Sequence, residues 1–252
     1  GGFLDLKGVA FNGSHGGNPG PVGSVVFRTS ATPGWSKAGS FSDPRELPKG
    51  FGASTVPFGP LPKQWAQYRG LYRNGERVTV WYTVGAAEIL ESPGIEGEGD
   101  GAVLTRSFHV RSAGEASTVL VAEVLEDAAL EERDGCVVLR DNAGKADSRL
   151  VLHAAGMPVG GRWKLIAPGK VGLELPAFKG GERFKIAHCK STAEGVEKCI
   201  ASLKASPAPE DLTAFVKPGK LLWPETVKTQ GQIGSESGAY QLDTVTLPMD
   251  NP

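Results

Sequence analysis

No stretch of this chain approaches the run of about 18 apolar residues that a membrane-spanning helix requires. Hydrophobic residues make up 40 % of the 252 and charged residues 22 %, the composition of a water-soluble globular chain. A dominant charge is missing too, because 27 basic residues face 28 acidic ones and the net charge is −1. No long-range field gathers a phosphate backbone or an anionic bilayer, so neither nucleic acid nor membrane is expected as a partner.

Cysteine is scarce. Cys136, Cys189 and Cys199 leave at least one thiol unpaired whichever bridge forms, which excludes the dense framework of a small secreted domain. None lies in a CxxC or CxxCH arrangement, which counts against a zinc ribbon or a covalent heme. HExxH, His-x-His, GxSxG and the phosphate-loop and dinucleotide glycine patterns are also absent. The glycine-rich stretch 94–101 carries acids that would repel phosphate. No catalytic residue, metal or cofactor is therefore expected in this segment. The opening Gly1-Gly2-Phe3-Leu4 has no Met and no signal-like run, and together with the closing Met249-Asp250-Asn251-Pro252 it reads as a segment of a longer protein.

What is present is turn chemistry. Gly 35 and Pro 18 punctuate the whole chain without a repeat period, which implies many short elements. Residues 70–73 and 76–84 are rich in aromatic and β-branched side chains and flank Asn74-Gly75, a pair that accepts the two positive φ angles of a type I′ turn. Residues 129–133 and 136–140 repeat the pattern around Asp134-Gly135. Further strands are expected at 102–111, 117–125, 148–154, 162–167, 170–175 and 182–188, and a last one in the tail around Tyr240, Leu242, Thr244, Val245 and Leu247. Their regular spacing and the lack of alternating helices predict an antiparallel β-sandwich, with a large mutarotase-like supersandwich as one form of it.

One helix is expected where Ser191 and Glu194 form a capping-box spacing ahead of Val196, Cys199, Ile200 and Leu203. A shorter helical turn is expected over 209–216. The chain thus reads as one mainly β domain over 1–252. Its parts are a loop-rich front segment (1–69), a sheet core (70–190), a helical segment (191–216) and an extended tail (217–252).

Candidate contacts concentrate in the front segment. His15 and Asn18 sit in the glycine-rich loop 12–19, where backbone can approach a ligand closely. The simpler reading is a structured turn in which His15 meets carbonyls. Trp35, Trp65 and Tyr68 interleave with Arg28, Arg45 and Arg69, and such surfaces stack on sugar rings. The same residues can equally seal a core that is short of aliphatics. Glu88, Glu91, Glu96, Glu98 and Asp100 surround Ser92-Pro93-Gly94 and read as a solvated acidic loop rather than a catalytic pair or a calcium site. His109, His153 and His188 fall inside strand-like runs and are expected to be structural.

Several motifs resemble a domain of unknown function from large exported bacterial proteins: Gly2-Phe3-Leu4-Asp5-Leu6-Lys7-Gly8, Phe27-Arg28-Thr29 with Pro33-Gly34-Trp35, Gly59-Pro60-Leu61-Pro62 through Trp65, and Tyr68-Arg69-Gly70-Leu71-Tyr72. Tyr82-Thr83-Val84-Gly85, Trp223-Pro224-Glu225-Thr226-Val227 and Asp243-Thr244-Val245-Thr246-Leu247-Pro248 extend the resemblance over nearly the whole chain. It implies a periplasmic or cell-surface location and, as partners, neighbouring domains of the parent protein: a c-type-cytochrome-like heme segment and a sugar-dehydrogenase-like β-propeller. It brings no activity and no site residues. Three functions remain in view. The first is a non-catalytic module that binds or positions a carbohydrate-like ligand. The second is a hydrolase or lyase using His15 with Asp43, and the third is a spacer that docks the propeller.

Overall fold

The computed structural model describes residues 3–5, 20–23, 25–49, 57, 59–98, 102–111, 113–141, 147–220 and 226–247. They divide into two units, Gly1–Pro218 and Gly219–Pro252. The first is an antiparallel β-sandwich. Its large sheet has eight strands, β3 (Ala66–Asn74), β4 (Arg77–Val84), β5 (Ala87–Glu96), β6 (Val103–Val110), β8 (Glu131–Arg133), β9 (Cys136–Arg140), β10 (Ser148–Ala155) and β13 (Glu182–Thr192). They are ordered β3-β4-β5-β6-β13-β10-β9-β8. The small sheet is ordered β11-β12-β7, from β7 (Ser117–Glu123), β11 (Arg162–Ala167) and β12 (Lys170–Leu175). A separate ribbon pairs β1 (Phe3–Asp5) with β2 (Gly20–Val22).

The period-2 alternation of a strand explains the layering. Val137 and Leu139 of β9, Leu150 and Leu152 of β10, and Phe184 and Ile186 of β13 face the small sheet, where they meet Val119, Val121, Val171, Leu173 and Leu175. The residues between them, Cys136, Val138, Val151, Ala187 and Cys189, point the other way. They are covered by α1 (Val196–Lys204), whose Val196, Cys199, Ile200 and Leu203 recur at helical spacing. The large sheet is thus apolar on both faces, which a sheet packed on one side only would not tolerate.

Local turn chemistry is seen directly at Arg133↔Cys136, where Asp134 (φ 49°) and Gly135 (φ 76°) both take the positive φ of a type I′ turn. The first hairpin is offset by one residue. Asn74 pairs with Arg77, so the loop is Gly75-Glu76 and only Gly75 (φ 62°) is positive, the φ pattern of a II′ turn.

Three expectations are corrected. The Ser191 capping box does not form, because β13 continues to Thr192 and a 3-10 turn at Ala193–Gly195 precedes the helix, which carries no side-chain cap. Ladder pairing of Ser191 and Thr192 with Arg149 and Ser148 outweighs one capping bond. Second, the acidic stretch is not a loop, since Glu88, Glu91 and Glu96 belong to β5 between β4 and β6. Pro93 is accommodated because the β4–β5 ladder ends at Val80↔Glu91, leaving no bond for the missing N–H to make on that side. Third, the described tail residues form no strand. They hold a single bridge, Gln232↔Thr244, and Tyr240 and Leu242 remain 90 % and 73 % exposed.

Cys189 of β13 and Cys199 of α1 form a disulfide with Cα atoms 5.8 Å apart, and Cys136 stays a buried free thiol. The bridge closes a loop with a sequence separation of 10. The double variant Cys189→Ala with Cys199→Ala is expected to lose about 2–3 kcal/mol of stability, read from urea unfolding under non-reducing conditions. Unchanged stability would mean the packing of α1 alone holds it in place.

Candidate functional site

Among the described residues before β3, the backbone of 28–36 bonds to the small sheet. Glu123 N–H donates to Arg28 O (2.8 Å), Leu120 N–H to Gly34 O (2.8 Å) and Ser36 N–H to Thr118 O (2.9 Å), so residues 28–36 run along the free edge of β7. The chain then reverses in a two-residue turn. Lys37 and Ser40 exchange both backbone bonds at 2.9 Å, with Ala38 (φ 48°) and Gly39 (φ 77°) at the tip. Ala38 in the left-handed region is strained, because its Cβ crowds the backbone there.

This turn overhangs a cleft of about 390 Å³ at one end of the sandwich. Its floor is Ile89, Val110 and Leu175 from the two sheets, and its walls include Trp35, Trp65 and Phe178. Lys37, Gln64 and Glu115 supply polar groups, and their side chains make no hydrogen bond or ion pair with other described residues. Lys37 Nζ lies 6.0 Å from the Trp65 ring centroid. An apolar base with a few unpaired polar groups is the composition of a small-molecule site.

The indoles are held from behind by a buried polar chain. Trp65 Nε1–H donates to the Trp35 carbonyl (3.1 Å), and Trp35 Nε1–H donates to the Tyr82 hydroxyl (2.9 Å). Tyr82 donates to Glu91 Oε2 (2.7 Å), whose other oxygen accepts from Arg106 Nε (2.7 Å). Arg106 Nη1 ends the chain on Leu120 O (3.0 Å) in the small sheet. Burial, reinforced by the Glu91 charge, pushes the Tyr82 hydroxyl well above its usual range, so it stays a neutral donor. The network braces the walls from behind, and Tyr82, Glu91 and Arg106 do not line the cleft.

Of the residues singled out from sequence, Trp35 and Trp65 come together here, only 7 % and 6 % exposed. They form walls and do not offer an open stacking platform. Arg28 is exposed along β7, and Tyr68 (65 % exposed) and Arg69 lie on the edge strand β3, none of them lining the cleft. Arg45 is used internally, paired with Asp43 (2.6 Å) and donating to Gly59 O (2.8 Å) and Ala31 O (3.3 Å). Its guanidinium holds the Asp43 carboxyl below the usual carboxylate range, which weakens Asp43 as a base. His15 and Asn18 lie outside the described residues. Sequence reasoning passed over Lys37, Gln64, Glu115 and Phe178. The Lys37-Ala38-Gly39-Ser40 turn was the only local signal for any of them, because Glu115 and Phe178 arrive from connections remote in the chain. Among the described residues no three His, Cys, Asp or Glu side chains gather as a metal site, and no helix is long and apolar enough to cross a membrane.

Fold and cleft define the class: a two-sheet antiparallel β-sandwich with a polar-rimmed cleft at one end. A family model described as a domain of unknown function (DUF6797) matches residues 1–91, which take in Trp35, Lys37, Gln64 and Trp65 but none of β6 to β13. No curated protein matches the chain.

Proposed function

We propose that this chain is a non-catalytic module that binds a carbohydrate-like ligand in the end cleft, within a larger exported protein whose heme-binding and β-propeller segments are its neighbours. The observation that carries the reading is the pairing of the Trp35, Trp65 and Phe178 walls with the exposed Lys37, Gln64 and Glu115 side chains, which make no hydrogen bond or ion pair with other described residues. Sugars present apolar C–H faces and a rim of hydroxyls, so aromatic walls and unpaired polar side chains suit them together. The Cys189–Cys199 bridge is consistent with export, because disulfides persist in oxidising compartments.

Isothermal titration against a panel of neutral and acidic saccharides tests the reading. Saturable heat is expected for at least one of them. Gln64→Ala and Lys37→Ala should each weaken it about tenfold, the worth of one hydrogen bond to a polar or charged group. Flat heats from every saccharide on folded protein would exclude it.

A further inference from the structure

The large sheet ends in an open edge. β3 is 9 residues long and pairs only with β4, and no described residue outside β4 bonds to the backbone of residues 67–73. Alternate residues of such a strand point their N–H and C=O groups away from the sheet, ready to take a further strand. Tyr68 and Leu71 lie opposite Tyr82 and Val80, so they share the face turned toward the small sheet, yet they remain 65 % and 53 % exposed. The small sheet stops short of them. We infer that the free edge of β3 takes an extended, acidic segment of a partner protein as an added strand.

Charge decides the partner. Arg69 sits at the register shift between Tyr68 and Gly70, is exposed, and makes no hydrogen bond or ion pair with other described residues. Arg73 is exposed too, and its Nε donates to the Gly75 carbonyl (3.1 Å) rather than to an acid. No residue of β3 is acidic. A bulge and a row of cations keep an edge strand from pairing with its own kind, since a second copy would set arginines against arginines with no carboxylate of either β3 between them. The same arginines favour an acidic strand, whose carboxylates they can bind through charge-assisted bonds. Main-chain bonds along the edge then supply affinity, Tyr68 and Leu71 seat apolar side chains, and the arginines select for acids. The end cleft is not involved, because no residue of β3 lines it.

The experiment is fluorescence anisotropy with a labelled, end-blocked decapeptide of alternating glutamate and valine and with its lysine and valine counterpart, on the wild-type chain and on the double variant Arg69→Glu with Arg73→Glu. The glutamate peptide should bind at least about tenfold more tightly than the lysine peptide, and the gap should shrink as salt is raised. The double variant should reverse the preference, and both side chains are exposed, so the fold is not at stake. Backbone N-methylation of the glutamate peptide tests the geometry. Methyl groups on one alternate set of residues should abolish binding and on the other set leave it intact, because only one set faces β3. No binding of the glutamate peptide, equal binding of the two peptides, or the same response to both methylated forms would overturn the proposal. A wild-type chain that dimerises in sedimentation, and no longer does so with Tyr68→Lys, would give the edge to a second copy and overturn it as well.

Discussion

Replacing Glu91 with alanine is expected to cost about 3–5 kcal/mol, a substantial share of the stability of a typical domain. Glu91 accepts from both Tyr82 and Arg106 in the narrow space between the sheets, and the Arg106 and Glu91 side chains are 18 % and 19 % exposed. Removing the carboxylate leaves a guanidinium and a hydroxyl desolvated without their acceptor, and that penalty exceeds the strength of the bonds themselves. Urea unfolding monitored by tryptophan fluorescence measures the loss. The double variant Glu91→Leu with Arg106→Met should recover part of it, because no unpaired charge then remains inside. Since Trp35 hangs from the same chain, Glu91→Ala should also weaken any ligand of the end cleft. A loss below about 1 kcal/mol would show that water reaches Arg106 and that the network is not sealed.

Acid should destabilise the protein well above the carboxylate range. His188 is fully buried, stacked on Phe27 with ring centroids 3.8 Å apart, and its nitrogens face Leu104 O at 3.3 Å and Val121 O at 3.4 Å. Burial, with the nearby Arg106 charge, lowers its pKa from 6.5 to about 3, so the ring is neutral in the fold. In the unfolded chain the ring takes up a proton below about 6.5, whereas the folded chain refuses it until about 3. The unfolded state therefore binds more protons across that window, and stability falls as pH falls, by about 1.4 kcal/mol per pH unit. Near pH 5 the deficit is roughly 2 kcal/mol, before Asp43, Glu174 and Asp211, whose pKa values are lowered, begin to add theirs. His188→Phe should lose about 1 kcal/mol at pH 7 for the missing hydrogen bond and then close the gap between pH 6.5 and 5, because only the wild type loses stability to this ring as the pH falls. Parallel curves for the two proteins would show that His188 titrates normally and is not sealed.

Residues 28–36 give their backbone bonds to β7, and this leaves Trp35 pointing into the space between the sheets rather than outward. Trp35 meets Phe108 edge-on, with centroids 5.9 Å apart, and Phe108 stacks on Phe184 at 4.8 Å. The same tryptophan is thus core on one side and cleft wall on the other, so the two readings of the aromatic residues in the front segment are not exclusive.

What the sequence alone determined was local. The Asp134-Gly135 reversal, the strand runs from β6 to β13 and the apolar stripe of α1 follow from φ preference and from periods of 2 and 3.6, which neighbouring residues carry without help. Where two local preferences competed, at Ser191 and around Pro93, the long-range ladder won because it satisfies several backbone groups at once. The acidic stretch looked solvated because the partners of Glu91 and Glu96, which are Arg106 and Lys185, lie 15 and 89 residues away. The cleft could be settled only in three dimensions. Lys37 and Gln64 come from the connection before β3, Glu115 from that between β6 and β7 and Phe178 from that between β12 and β13, and no spacing rule places them together. Only the stacking of the small sheet on the large one, driven by burial of both apolar faces, brings those loops to one end, where the Lys37, Gln64 and Glu115 side chains bond to no other described residue.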